Sequence, residues 1–216
     1  MSVTQAKICG LKTPEAVSAA VAGGAAYLGF VFFDRSPRHL APEAAAGLVL
    51  PVRQASAARV VALMVDPSDA ELEAMLAVFQ PDLIQLHGKE TPQRVAAIRA
   101  GAGLPIIKAV GVRDASDIAA ARVYEGAADH LMFDAKPPGD ADRPGGHGVS
   151  FDWTLLDSVR FERPWFLAGG LDPWNVAEAA KRARAPLVDV SSGVERGPGV
   201  KDPDLITAFL SAVRRA

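Results

Sequence analysis

The 216-residue sequence holds one cysteine, Cys9. An internal disulfide and a CxxC-type metal site are therefore excluded, and a reducing, cytoplasmic setting is expected. No charge sign dominates, since 23 Lys and Arg stand against 25 Asp and Glu for a formal net charge of −2. A chain without basic excess advertises no nucleic-acid-binding face. The opening residues, MSVTQAKICG, lack the basic stretch and long apolar run of a secretory signal. No apolar run approaches the roughly 20 residues needed to cross a bilayer. The sequence thus predicts neither a nucleic-acid nor a membrane partner.

What the sequence does contain is a repeating order of apolar strand, turn and amphipathic helix. Strands are predicted at Gln5–Cys9, Tyr27–Phe32, Arg59–Val65, Leu83–Leu86, Ile106–Val110, His130–Phe133, Trp165–Ala168 and Leu187–Val190. Each is a short, continuous apolar run of the kind a fully buried parallel strand shows. Helices are predicted after them at Pro14–Ala22, Pro42–Leu50, Asp69–Phe79, Pro92–Ala100, Ala115–Tyr124, Asp152–Asp157, Pro173–Arg182 and Asp204–Arg214. Thr13-Pro14, Thr91-Pro92 and Asp172-Pro173 each set a capping side chain before a proline at the first helical position. Ser68 and Glu71 fit a capping box. Eight strand–helix units imply a parallel sheet, and eight close naturally into a single (β/α)8 TIM barrel over residues 1–216. The rival is an open doubly wound sheet, which usually needs fewer units. The Gly/Pro-rich stretch KPPGDADRPGGHGVS follows the sixth strand. A long loop inside a compact domain is more often functional than a linker, so a lid over the barrel mouth is expected at about 135–150.

Barrel enzymes carry their chemistry where strands end and βα loops begin. Cys9 ends the first strand and Asp134 follows the sixth. A carboxylate directly after an apolar run is costly to bury alone. Cysteine as base and aspartic acid as proton donor would make a workable pair for moving a proton beside a carbonyl or imine. A lone cysteine on an apolar strand is otherwise a small buried hydrophobe. Gly169 and Gly170 follow the seventh strand, and Ser192 and Gly193 the eighth, the two loops where barrels recurrently hold phosphate. Without a further role these glycines would only make tight turns. Arg38 is either a fork for a substrate carboxylate or phosphate or a solvated surface residue. Asp189 faces either a polar pocket or a lysine such as Lys7. Lys108 is read as a pocket cation or a lysine reaching out of the barrel end, and His87 as framework or mouth lining. His39, His130 and His147 share no metal-ligand spacing, so no metal site is read.

The strings KICG at 7–10, GFVF at 29–32, SPR at 36–38, QLHG at 85–88, IKAVGV at 107–112 and FDAK at 133–136 occur in this order. FDW at 151–153, AGGL at 168–171, NV at 175–176, VDVSSGVE at 188–195 and PGVKD at 198–202 complete the set. Together they span nearly the whole chain and resemble the phosphoribosylanthranilate isomerase family. The resemblance implies an Amadori rearrangement of a phosphosugar carrying an anthranilate carboxylate, a step of tryptophan biosynthesis. It implies Asp134 as general acid and Cys9 as general base. It also implies Arg38 as partner of the anthranilate carboxylate, and Gly169, Gly170, Ser192 and Gly193 as the phosphate grip. Asp189 is counted among the substrate-binding residues. Only proton transfers are required, so no cofactor or metal is expected. The lid segment is longer and richer in proline than the family pattern suggests. Among related barrels, the bifunctional isomerase would be expected to carry carboxylates at both catalytic positions, one of which is Cys9 here. An epimerase-like enzyme would need clustered His and Asp ligands. A non-catalytic barrel that only binds a phosphorylated ligand is the reading from a different class.

Overall fold

Eight parallel strands close on themselves in chain order, β1 next to β2 and onward, with β8 returning to pair with β1. This computed structural model describes residues 4–136, 145–146, 150–157 and 159–216. The expected lid loop therefore lies largely outside the described residues. The strands are β1 Gln5–Cys9, β2 Tyr27–Val31, β3 Arg59–Met64, β4 Leu83–Leu86, β5 Ile106–Val112, β6 His130–Ala135, β7 Trp165–Leu167 and β8 Leu187–Val190. The helices are α1 Pro14–Ala22, α2 Pro42–Ala55, α3 Asp69–Val78, α4 Pro92–Ala102, α5 Ala115–Ala120, α6 Val176–Ala183 and α7 Pro203–Val213. Closure, rather than an open sheet, is the observed answer. Among the described residues no helix is long and apolar enough to cross a membrane.

Strand parity explains both the uninterrupted apolar runs and the placement of the reactive groups. Successive side chains on a strand point to opposite faces. In a barrel one face meets the helices and the other fills the axis. Ile8, Leu28, Phe30, Val60, Ala62, Ile84, Leu86 and Val188 pack outward with the helices. Tyr27, Val61, Leu83, Ile107, Met132 and Phe166 fill the interior. A separate layer of Cys9, Val31 and Leu63 sits above them at the strand ends. The inward parity of 7 and 9, 85, 132 and 134, and 187 and 189 is what turns Cys9, Gln85, Asp134 and Asp189 toward the mouth.

The same parity corrects the reading of Lys108. It alternates with the inward Ile107 and Ala109, so it points outward. It is 2% exposed and its Nζ donates to Glu90 Oε2 at 2.7 Å and Gly88 O at 2.8 Å. Lys108 is therefore neither a pocket cation nor a lysine reaching into solvent. It ties down the loop after β4 from behind.

The helix ends follow local chemistry. Thr13 and Thr91 accept from the backbone N–H of Ala16 and Arg94, and Ser68 and Glu71 form the full capping box. Four expectations need correction. α2 continues through Pro51 to Ala55, because Val52 on the same face as Val49 is buried. An interior proline usually costs ~3 kcal/mol; the burial of Val52 and the bonds from Arg53 to Asp82 and Gln80 O act against that cost. The helix expected at Asp152–Asp157 is a single 3-10 turn, Trp153–Leu156, which buries only Leu156. The helix expected to run to Tyr124 breaks at Ala120 into a 3-10 turn. Asp172 does not cap a helix starting at Pro173. Its Oδ1 accepts from Trp174 and Asn175 N–H, a closed turn that delays α6 to Val176. One element was not foreseen at all, an antiparallel hairpin of β9 Glu195–Gly197 and β10 Val200–Lys201 after the eighth strand.

At the opposite end of the barrel, His130 is 8% exposed, beside the rings of Tyr27 and Phe166. Burial, assisted by the Arg59 cation, lowers its pKa to about 4. The folded protein therefore keeps His130 neutral where the unfolded chain protonates it. Stability from this group is full above pH 6.5 and is lost as pH falls toward 4. The loss is on the order of 2–3 kcal/mol. Urea unfolding should show wild type weakening across that window and His130→Phe weakening less. Parallel curves for the two proteins would show that His130 contributes no pH dependence.

Candidate active site

A cavity opens at the C-terminal ends of the strands, and its lining brings together Cys9 of β1, Gln85 of β4, Asp134 of β6 and Asp189 of β8. Arg38, His87 and Ser191 join them from the loops after β2, β4 and β8, and Phe33, Val31 and Leu63 supply an apolar wall. Of the residues expected at the site, Cys9, Arg38, Asp134 and Asp189 share this one cavity. Gly169, Gly170, Ser192 and Gly193 are not in its lining; they lie in the loops after β7 and β8.

Cys9 is 3% exposed. Burial is the largest influence on its thiol and pushes its pKa up, while Lys7 is the chief group pulling it down. Lys7 is itself fully buried, one inward step below Cys9, and its Nζ donates to Asp189 Oδ1 at 2.8 Å. Burial works against the ammonium, but the charges of Asp189 and Cys9 prevail and hold the Lys7 pKa above its ordinary value. Asp189 thus faces both the pocket and Lys7. An isolated buried lysine would shed its proton, so Asp189 is the group that keeps a cation next to the cysteine. Gly29 leaves room for this arrangement, since a Cβ there would come within 3.1 Å of the Cys9 sulfur.

Asp134 lies across the mouth, separated from β1 by β7 and β8. Its Oδ1 accepts from the backbone N–H of Ala135 at 2.9 Å, and its Oδ2 lies 3.3 Å from His87 Nε2. His87 Nδ1 is in turn 3.2 Å from Gln85 Nε2. An imidazole can donate to a carboxylate or accept from a carboxylic acid, so His87 orients Asp134 in either protonation state. The Gln85 amide can turn over to match, and its buried Oε1 has no partner among the described residues. His87 therefore lines the mouth and braces the Asp134 carboxyl at once.

Arg38 is 5% exposed, not a solvated surface residue. Its Nε donates to Glu195 Oε1 at 2.8 Å and its Nη2 to Glu195 Oε2 at 2.9 Å, a two-pronged fork. Lys201 Nζ donates to the same Glu195 Oε1 and also to Ser191 O at 3.1 Å. Burial opposes the Glu195 carboxylate, but hydrogen bonds and charge from Arg38 and Lys201 hold its pKa below the ordinary value. For Lys201 burial prevails over Glu195 and its pKa is lowered. In the sequence Glu195 and Lys201 stand only within the strings VDVSSGVE and PGVKD. The hairpin that carries them was unforeseen, so no signal connected them to Arg38.

In the loops after β7 and β8, Gly169 has φ +81° and a Cβ there would stand 2.5 Å from Ala135 N, while a Cβ on Gly193 would stand 1.9 Å from Leu171 O. Both positions need glycine for close approach of the loops after β6, β7 and β8. Ser192 and Gly193 open one turn of 3-10 helix, Ser192–Val194. What this mouth can do chemically is bind an anion at Arg38 and move protons at Asp134 and Cys9, on a ligand held against the apolar wall.

The profile of a family described as N-(5′phosphoribosyl)anthranilate (PRA) isomerase matches residues 6–212. A relative from Caulobacter sp. (strain K31), an N-(5′-phosphoribosyl)anthranilate isomerase, is 61% identical over 99% of this chain and 100% of its own length. The crystal structure of phosphoribosyl anthranilate isomerase from Thermotoga maritima superimposes with a TM-score of 0.86 at 33% identity, covering 99% of this chain and 100% of that one. A crystal structure of such an isomerase in complex with reduced 1-(o-carboxyphenylamino)-1-deoxyribulose 5-phosphate gives a TM-score of 0.81 at 30% identity, covering 99% of this chain and 100% of the other.

Proposed function

The chain belongs to the N-(5′-phosphoribosyl)anthranilate isomerase family, and we propose that Asp134 and Cys9 divide the proton transfers of its reaction. That reaction is the Amadori rearrangement of N-(5-phosphoribosyl)anthranilate to 1-(2-carboxyphenylamino)-1-deoxyribulose 5-phosphate in tryptophan biosynthesis. Asp134 protonates the furanose ring oxygen, and the amine nitrogen's lone pair opens the ring to a protonated Schiff base. Cys9 acts in its thiolate form, which burial disfavours and the neighbouring Lys7 cation favours; the thiolate removes the C2′ proton, and the electron pair of that bond moves to form the enolamine. Tautomerisation of the enolamine gives the ketone. Lys7, held charged by Asp189, is the cation beside the thiolate when it forms. Arg38 takes the anthranilate carboxylate, and Gly169, Gly170, Ser192 and Gly193 take the phosphate.

The observation that carries this reading is the convergence of Cys9, Asp134 and Arg38, from three separate parts of the chain, on one cavity. A base, an acid and an anion partner are what the chemistry requires. Gly145 and Gly146 also line that cavity, close to Asp134 and Arg38, which supports a lid formed by the loop at about 135–150 of a single barrel domain. A cytoplasmic setting is inferred from the biosynthetic reaction and from a single cysteine buried in the site.

The test is a fluorescence assay in which anthranilate and phosphoribosyl pyrophosphate are coupled through the transferase to make the substrate in place. Substrate fluorescence should decay only when this protein is added. A well-folded protein that leaves the signal unchanged would contradict the reaction while leaving the barrel intact.

A further inference from the structure

We propose that Lys201 and Glu195 are positioning residues that make Arg38 a reader of the substrate's carboxylate. This rests on the reading of Arg38 given above and deepens it. The three side chains form a closed set of charges, two positive and one negative, with side-chain exposures of 6% for Arg38, 4% for Glu195 and 2% for Lys201. Glu195 occupies Nε and Nη2 of the guanidinium, so it fixes the plane in which the fork lies. Arg38 lines the cavity. Nη2 also donates to Gly146 O at 3.4 Å, so among the described residues Nη1 is the part of the fork with no acceptor.

A fork fixed by a carboxylate would alone be electrically neutral and a poor anion site. Lys201 restores the charge. Its Nζ reaches three acceptors, Glu195 Oε1, Ser191 O at 3.1 Å and Ser191 Oγ at 3.4 Å. Three donations use all three protons of an ammonium, whereas a neutral amine has two. The cluster therefore carries a net charge of one positive, buried at the edge of the cavity. Such a charge asks for an anion, and a desolvated Arg–carboxylate contact is far stronger than one in water. The hairpin that brings Lys201 beside Glu195 is thus part of the specificity for a substrate bearing a carboxylate on its aryl ring. The bond from Ser191 Oγ to Cys9 O at 3.1 Å joins the cluster to the strand that carries the cysteine.

The experiment compares two substrates, N-(5-phosphoribosyl)anthranilate and the aniline analogue without the carboxylate, with wild type, Lys201→Met, Lys201→Gln and Lys201→Arg. The two neutral variants differ in shape, so a folding defect in one leaves the other to be measured. Removing the charge should raise KM for the carboxylated substrate about tenfold or more, with little change in kcat. KM for the analogue should not move, and Lys201→Arg should restore most of the affinity. Arg38→Ala, measured alongside, must raise KM for the carboxylated substrate alone. If Arg38→Ala leaves KM unchanged, the role of Arg38 fails and this inference falls with it. If Arg38→Ala behaves as stated but both neutral Lys201 variants shift the two substrates equally, or neither, Lys201 is only structural and the inference alone is overturned.

Discussion

Asp134→Asn is expected to lower kcat by about 10²–10⁴-fold while changing KM little, because it removes a proton donor from the ring-opening step. Asparagine has nearly the same shape. It can still accept from the Ala135 N–H and still meet His87, the two contacts that orient the carboxyl. The cavity wall is therefore preserved, and what disappears is a proton that can be given to the ring oxygen. Steady-state kinetics on the fluorescent substrate measures this directly. A loss below about tenfold would assign the proton transfer elsewhere, with His87, 3.3 Å away, as the group to examine.

Cys9→Ala is expected to cost a similar factor in kcat, since the C2′ proton then has no acceptor. Cys9→Ser sharpens the result. A serine hydroxyl fills nearly the same space and retains a polar atom next to Lys7, but it does not ionise as a thiol does. If packing were the role of Cys9, serine would restore most of the activity. On the present account both variants lose a similar factor, about 10²–10⁴-fold in kcat. The Lys7–Asp189 pair, which does not depend on the sulfur for its 2.8 Å contact, stays in place in both.

The barrel was legible in the sequence because each strand is buried on two faces and so reads as an unbroken apolar run. The catalytic candidates were legible for a related reason. A lone cysteine and an aspartate at the ends of such runs stand out as polar interruptions of inward positions. Lys108 misled because a short apolar run does not announce its parity. One step of phase separates the axis, where Ile107 points, from the shell, where Lys108 meets Glu90. The Arg38 cluster was illegible for a different reason. Arg38 and Glu195 are 157 positions apart, and Glu195 and Lys201 meet only through a hairpin of three and two residues. Strands that short leave no periodic pattern to read. The late start of α6 was hidden by Asp172, whose side chain serves a turn as readily as a helix cap.

The central claim is that proton transfer to Cys9 in this cavity carries the isomerisation. It is tested most directly by single-turnover decay of substrate fluorescence with enzyme in excess, wild type beside Cys9→Ala. The account predicts complete decay with wild type and a rate slowed by about 10²–10⁴-fold with Cys9→Ala. Decay by the variant within about threefold of wild type, at equal folding, would contradict it.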